Sequence, residues 1–122
     1  MLESPAWRAM PGHAIKVVMR IALEHLKHGG VENGGLPTTY NDFVSCGVRR
    51  ARIREAIMIA IYLGWIERVS IGETPWHGDI REPSKFALTW LPKRDGSPAS
   101  NNWTRFTTMA EARANPGRSP TF

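Results

Sequence analysis

Four arginines stand close together near the middle of the chain, at Arg49, Arg50, Arg52 and Arg54. A guanidinium group can donate two hydrogen bonds to the O6 and N7 atoms of guanine, or it can clamp a phosphate. Glu55 is the only acidic residue between positions 48 and 62, whereas a solvated helix face usually interleaves both signs. The cluster therefore favours contact with nucleic acid, and a merely solvated helix face remains the alternative.

Residues suited to catalysis or metal binding are sparse by comparison. The sequence has no glycine-rich phosphate loop and no nucleophile elbow, and His77 and Asp79 are too isolated to indicate a catalytic triad. His25 and His28 are three residues apart, but no third ligand follows at metal-site spacing. A redox role for the single cysteine, Cys46, is the less favoured interpretation. We expect neither an enzyme nor a cofactor.

Helical spacing of apolar residues predicts three helices that would position the arginines. The first runs from His13 to His28 and ends at two glycines. Thr39, with Asp42 three residues later, can cap a short second helix. The third runs from about Arg49 to Leu63. The predicted buried stripe of the first helix consists of Ile15, Val18, Met19, Ala22, Leu23 and Leu26. The predicted core side of the third consists of Ile53, Ala56, Ile57, Ala60 and Ile61.

Strand patterns occupy the rest of the central region. A short strand fits the turn-rich connector around Leu36, and alternating residues predict two longer strands over 65–71 and 85–91. The loop 72–84 between them contains Pro75, Gly78 and Pro83. Two strands joined by such a loop, directly after the helices, are predicted to form a wing. The expected fold class is mainly α with a small β wing (α+β), with three helices and a two- or three-stranded antiparallel sheet.

The second and third helices are separated by Ser45-Cys46-Gly47, which is the pattern of a helix-turn-helix. Together with Thr38-Thr39-Tyr40, Gly47-Val48 and the exit Leu63-Gly64-Trp65-Ile66, the pattern resembles the winged helix-turn-helix domains of bacterial repressors and of phage or plasmid replication initiators. The resemblance covers about residues 5–91. It implies that the third helix enters the major groove of duplex DNA, with its N-terminal residues at the bases.

The predicted DNA-contacting residues lie at the start of both helices of the motif. They are Thr38, Thr39, Arg49, Arg50, Ala51, Arg52, Arg54 and Glu55. At 100° per residue, Ala51, Arg52 and Glu55 point away from the predicted core stripe and toward a groove. Arg50 and Arg54 lie nearer the flanks of that stripe and are predicted to contact phosphates, whereas Arg49 at the helix entrance can reach bases or backbone.

Charge is distributed unevenly along the chain, which has a net charge of +5 and an isoelectric point near 10.0. Such basicity is typical of nucleic-acid binders. Residues 66–82, the wing, hold four acidic residues and two basic ones. In the family that the chain resembles, wings are often basic. Residues 83–122 hold six basic residues against two acidic ones. Lys85, Lys93 and Arg94 are therefore candidate phosphate contacts, and a basic tail with no fixed role is an equal alternative.

The predicted organisation has an irregular N-terminal arm over residues 1–12, a winged helix-turn-helix domain over 13–91, and a basic C-terminal extension over 92–122. The extension is expected to be partly disordered, above all over 115–122, with a short helix near 108–114. Trp7 is expected to fold back onto the core. Met58, Ile59 and Tyr62 make the opposite side of the third helix apolar as well, so this side is also expected to be buried. Packing within the chain is favoured over a homodimer.

The function that these patterns favour is sequence-specific binding of double-stranded DNA, as a transcriptional repressor. Two alternatives stay open. One is a winged-helix module that binds a protein, such as an antirepressor or adaptor, through the acidic wing or the C-terminal extension. The other is the DNA-binding component of a plasmid or phage replication, transfer or excision machinery. A cytoplasmic, nucleoid-associated location is expected, because the sequence shows no secretory signal, no apolar membrane span and only one cysteine.

Overall fold

The computed structural model describes residues 1–70 and 84–113. The helices are α1 (Pro5–Arg8), α2 (Gly12–Lys27), α3 (Tyr40–Ser45), α4 (Arg50–Tyr62) and α5 (Met109–Arg113), with a short 3-10 helix at Asn102–Arg105. The strands are β1 (Leu36–Thr38), β2 (Ile66–Ser70) and β3 (Ser84–Leu88). The predicted wing loop, except Ser84, and the predicted disordered tail lie outside the described residues.

The N-terminal arm is more ordered than its prolines and glycine predict. The Ser4 hydroxyl accepts a hydrogen bond from the Trp7 amide at 3.2 Å, and Pro5 occupies the first turn of α1, where its missing N–H costs nothing. The prediction of an irregular arm over 1–12 is therefore wrong for residues 5–8. Helix α2 begins at Gly12, one residue earlier than predicted, and Trp7 lies edge-on against Trp65 at 5.2 Å, as expected.

Helix α2 buries a different face from the one predicted. Its buried residues are Ala14, Val17, Val18 and Ile21. Of the predicted stripe, only Val18 is fully buried, whereas Met19, Leu23 and Leu26 are 45%, 44% and 71% exposed. Both sets repeat at helical spacing, so periodicity alone cannot choose between two apolar faces. Packing against α4 and β1 determines which face of α2 is buried.

The cap of helix α3 forms as the sequence predicts. Thr39 Oγ1 accepts from the Asp42 amide at 3.2 Å, and Asp42 Oδ2 accepts from the Thr39 amide at 2.8 Å. This reciprocal pair satisfies two amides that a helix start otherwise leaves free. After α3, Gly47 takes a left-handed conformation with φ +98°, and Val48 is buried beside the turn. The sharp turn fixes the entry of α4, which starts one residue later than predicted.

The three strands form one antiparallel sheet in the order β1-β3-β2. Pro37, which cannot donate to a ladder, lies in the edge strand β1 opposite Lys85. In the β2–β3 pair Ile66 lies opposite Leu88, and the register shifts between Arg68 and Ser70. Strand β3 is central and ends at Leu88 rather than at residue 91. Buried Asn33 ties this end down, because its amide group donates to three carbonyls beyond Ala87 and its Oδ1 accepts from the Leu88 amide.

The C-terminal extension packs on the body of the protein at a cluster of tryptophans around Trp65. Trp103 stacks on Trp65 with ring centroids 5.4 Å apart and planes within 2°. Trp90 lies edge-on against the same ring at 6.0 Å, and Phe106 is buried. Trp65 is completely buried and its Nε1 donates to the Ala6 carbonyl. The arm and the extension therefore meet over one side chain.

The described part of the chain is an α+β structure of five helices and a small three-stranded antiparallel sheet, and its element order is compatible with a winged-helix layout. The predicted short helix near 108–114 is present as α5, with the Thr108 hydroxyl accepting from the Glu111 amide. Within residues 1–70 and 84–113, none of the helices has both the length and the apolar character that crossing a membrane would need.

Candidate nucleic-acid interface

The start of helix α4 presents most of the predicted contact residues to solvent. Arg49 is the residue before the helix, and it is exposed together with Arg50, Ala51, Arg52 and Arg54. Glu55, one turn further on, is half-buried. The buried residues that hold this helix against the core are Ile53, Ala56, Ile57, Ile59 and Ala60. The first turn of α4 is thus a basic, accessible surface on a helix whose opposite side is anchored.

Two of the four arginines have partners. Arg52 Nη1 lies 3.0 Å from Glu55 Oε2, and His13 Nε2 lies 3.9 Å from the same carboxylate oxygen. Arg50 donates to the side-chain oxygen of Asn41 in α3. This bond spans the two helices of the motif, so it orients the Arg50 guanidinium at the edge of the surface. The sequence did not single out Asn41.

Arg49 and Arg54 stand free at this surface. Neither side chain has a hydrogen bond or an ion pair with any residue of the described ranges. A free guanidinium keeps all five of its donors for a ligand. Because both side chains are exposed and unpaired within the described ranges, an anion can bind them without first displacing an intramolecular hydrogen bond or ion pair.

The burial pattern of α4 reverses the predicted order of Arg52 and Arg54 relative to the outward direction of the helix. Ile59, predicted on the outer side of the helix, is 1% exposed, and its burial moves the centre of the buried face. At 100° per residue, Arg54 then lies about 50° and Arg52 about 110° from the outward direction. Ala51 and Glu55 keep their predicted outward positions. Both side chains are exposed, so the contact that each makes with DNA stays a prediction.

A further cation reaches the turn of the motif from α2. Lys16 Nζ donates to the Gly47 carbonyl at 3.3 Å, and a Cβ at Gly47 would stand only 3.0 Å from that ammonium. Lys16 is exposed, so its charge lies beside the entrance of α4. Thirty-one positions separate the two residues, and the local pattern around Lys16 carries no signal of this contact.

Of the two predicted threonine contacts, one is wrong. Thr38 lies in β1 and is 2% exposed, so its side chain does not reach a ligand at the surface. Thr39 is exposed but its hydroxyl accepts from the Asp42 amide as the cap of α3. Thr39 therefore serves to fix the first helix of the motif.

The candidate phosphate contacts of the C-terminal region are largely occupied. Lys93 Nζ lies 2.8 Å from Glu67, and this bond holds the pKa of the Glu67 carboxyl below its usual value. Arg94 Nη1 lies 3.2 Å from Glu32, and Arg105 lies over the Tyr62 and Phe106 rings. Lys85 is half-buried in β3 and has no ion pair within residues 1–70 and 84–113. Most of these cations therefore stabilise the fold.

The far side of α4 is covered within the chain, as favoured from the sequence. Ile59 is buried at a shallow cavity lined also by Met10 and Pro11 of the arm. Tyr62 packs on Phe106 with ring centroids 5.4 Å apart. Met58 is half-buried. The arm and the C-terminal extension therefore cover much of this side of α4.

The remaining candidates among the described residues do not come together in a second site. In the part of the chain that the structure describes, three metal-ligating side chains nowhere come together. His28 lies 2.9 Å from Glu24 rather than beside His25, and Cys46 Sγ donates to the Phe43 carbonyl. Residues 71–82 of the predicted acidic wing, with His77 and Asp79, lie outside the described residues. No family model, no curated protein and no solved structure matches this chain.

Proposed function

We propose that this protein is a winged helix-turn-helix protein that binds double-stranded DNA, with α4 in the major groove, and that it acts as a transcriptional repressor by occupying its site. The observation that carries the proposal is the pair of exposed, unpaired arginines at the start of α4, Arg49 and Arg54, on a helix fixed from behind. A major groove about 12 Å wide accepts one helix, and its base edges are read from the N-terminal turns.

The layout of the elements supports the proposal. A winged helix needs a first helix, an edge strand, the two motif helices and then a hairpin whose second strand pairs with the edge strand. Helices α2, α3 and α4 and the strand order β1-β3-β2 agree with this arrangement. The sharp turn at Gly47 and the capping box at Thr39 hold α3 and α4 at a fixed angle.

The residues at the surface divide by the chemistry that each can perform. Arg54, the arginine of α4 nearest the outward direction, suits a bidentate bond to a guanine base, and the methyl group of Ala51 suits a thymine methyl. Arg49 and Lys16, at the entrance of α4, suit phosphate oxygens of one strand. Arg50, held by Asn41, suits a phosphate at the other edge. Glu55 neutralises Arg52 and repels backbone phosphates on that side.

The same surface serves a replication, transfer or excision component of a mobile element. Both functions use α4 in the same groove, so only the position of the binding sites relative to promoters or origins separates them. We favour the repressor because occupying a site requires no contact beyond those that the surface offers.

Electrophoretic mobility shift with duplex DNA over a salt series tests the proposal. The double variant Arg49→Ala/Arg54→Ala should lose about 1–3 kcal/mol for each lost base contact and show a shallower salt dependence. The matched control is Lys27→Ala/Arg113→Ala, which removes the same charge from exposed positions on α2 and α5. Equal affinity of the two double variants, or no shift by the wild type at low salt, would contradict the proposal.

A further inference from the structure

Glu55 lies between two groups that can carry positive charge, one on its own helix and one on α2. Its Oε2 atom lies 3.0 Å from Arg52 Nη1 and 3.9 Å from His13 Nε2. The contact with Arg52 has the length of a charged hydrogen bond, whereas 3.9 Å is too long for a hydrogen bond to the imidazole. The carboxylate is therefore bonded to Arg52, and His13 stands next to it without a bond.

The His13 imidazole lacks a hydrogen-bond partner at the atom that is nearest Glu55. Nε2 is buried and has no partner among the described residues. A buried nitrogen without a partner is costly, and a carboxylate that comes within bonding distance removes this cost. Protonation of the ring adds a positive charge to that need, and histidine is the side chain that ordinarily takes up its proton between about pH 8 and pH 5.

A cavity gives Glu55 room to approach the imidazole. Its volume is about 400 Å³, and His13 and Glu55 both line it. The other lining residues are all apolar, namely Ala9, Met10, Pro11 and Ile59. A movement of the carboxylate by about 1 Å toward Nε2 brings the two groups into hydrogen-bond range, a distance that side-chain rotation can cover. The same movement takes the carboxylate away from Arg52.

The other charges near His13 do not compete for this carboxylate. Lys16, one turn further along α2, is bonded to a backbone carbonyl, and Arg8 in α1 is exposed and has no ion pair within residues 1–70 and 84–113. Protonated His13 therefore meets the Glu55 carboxylate and, beyond it, the Arg52 guanidinium. The charges of these three side chains sum to zero while the imidazole is neutral and to +1 once it is protonated.

We propose that His13 is a proton-operated switch of the α4 surface: once protonated, it binds the Glu55 carboxylate and so releases Arg52 for the phosphates of duplex DNA. The Arg52 side chain is 64% exposed and that of His13 28%, so solvent weakens the bond of Glu55 to arginine more than its bond to histidine. The inference rests on the proposed function and adds its regulation. DNA binding should tighten as the pH falls through the range in which histidine titrates.

Fluorescence anisotropy with a labelled duplex at about pH 8 and about pH 6 tests the switch. The wild type should bind about three- to tenfold more tightly at the lower pH, with a salt slope steeper by about one, because one more phosphate contact forms. His13→Gln should lose this gain, because glutamine keeps a hydrogen-bonding group but takes up no proton. Arg52→Ala should lose most of it, because the released side chain is missing.

His28→Gln is the matched control for the histidine variant. It removes an imidazole at the other end of α2, about 22 Å from His13, where the partner is Glu24 instead of Glu55. This variant should keep the full gain in affinity on acidification. Equal affinity of the wild type at the two pH values, or a gain that His13→Gln retains, overturns the proposal.

Carbon-13 NMR of the full chain without DNA separates a failure of the switch from a failure of DNA binding. On acidification from about pH 8 to about pH 6, the Arg52 Cζ signal of the wild type should move toward its position in Glu55→Gln, where no carboxylate holds the guanidinium. In His13→Gln the signal should stay in place. A signal that does not move in the wild type, or that moves equally in His13→Gln, overturns the switch even where DNA binds. If the folded wild type binds no duplex at either pH, the proposed function fails, and this signal still decides whether Arg52 is released.

Discussion

At the scale of single residues, Arg52 and Arg54 show how two identical side chains acquire different roles. Arg52 lies 3.0 Å from Glu55, and part of its charge is neutralised before any ligand arrives. Arg54 has no such partner among the described residues and lies closer to the outward direction of α4. The difference arises from the burial of Ile59, which sets the rotation of the helix about its axis.

This difference leads to a prediction for single variants. Arg54→Ala should weaken binding of duplex DNA by about 1–3 kcal/mol, whereas Arg52→Ala should change it by less, because Arg52 must give up its bond to the Glu55 carboxylate before it can contact DNA. Fluorescence anisotropy with a labelled duplex measures both. Circular dichroism serves as the folding check. A larger loss for Arg52→Ala would place Arg52, rather than Arg54, in the groove.

At the scale of elements, the end of α4 meets the C-terminal extension at Gly64. This residue has φ +86°, and a Cβ built on it would overlap the backbone of Asn102 and Trp103. Backbone cannot move aside as a flexible side chain can. The left-handed conformation and the close approach of the extension therefore both require glycine here.

We expect Gly64→Ala to lower the free energy of unfolding by at least about 2 kcal/mol, from backbone strain and from displacement of the extension. Gly29→Ala is the control that separates the two causes, because Gly29 also has a positive φ of 72° but has no atom near its Cβ position. Urea unfolding of both variants gives the comparison. Equal losses would mean that the extension does not pack on Gly64.

A second contact between elements joins α2 to α3 through Arg20, which bonds both Glu24 and Asp42. Burial raises the pKa of Glu24, but its bonds to Arg20 and His28 outweigh this effect, so the pKa lies below the ordinary value of 4.5. A lowered pKa in the folded state means that ionised Glu24 stabilises the fold above pH 4.5. This stabilisation is lost as the pH falls through the folded-state pKa.

Glu24→Gln should therefore be less stable than the wild type at neutral pH, by about 0.5–1 kcal/mol, and the difference should shrink as the pH falls below 4.5. Urea unfolding at several pH values measures this. Glu3→Gln is the control, since Glu3 is exposed and has no ion pair within the described part of the chain. A difference that persists unchanged in acid would assign the effect of Glu24→Gln to packing instead of charge.

At the scale of the whole molecule, local signals were sufficient for most elements. The capping box at Thr39, the short strand around Leu36 and the glycine that ends α4 follow from neighbouring residues, and the structure contains all three. The basic start of α4 could also be predicted, because four arginines on one helical turn and a half need no tertiary contact to be adjacent.

Features that depend on distant contacts could be predicted only in outline, such as the return of Trp7 to the core. The face of α2 that packs is chosen by α4 and β1, and the helical period fits either face. The cluster around Trp65 joins Trp7, Trp90 and Trp103 across most of the chain. Lys16 contacts Gly47, 31 positions further along the chain, and no local sequence pattern indicates this contact. In each case the sequence supplies apolar or charged side chains, and the fold decides which of them meet.

Selection of binding sites from random duplex DNA tests most directly whether α4 recognises duplex DNA by sequence. The wild type, folded by circular dichroism and assayed at low salt, should enrich one sequence motif, and Arg54→Ala should relax the preference at one position of that motif. Absence of any enrichment over the starting pool by the folded wild type would contradict the account.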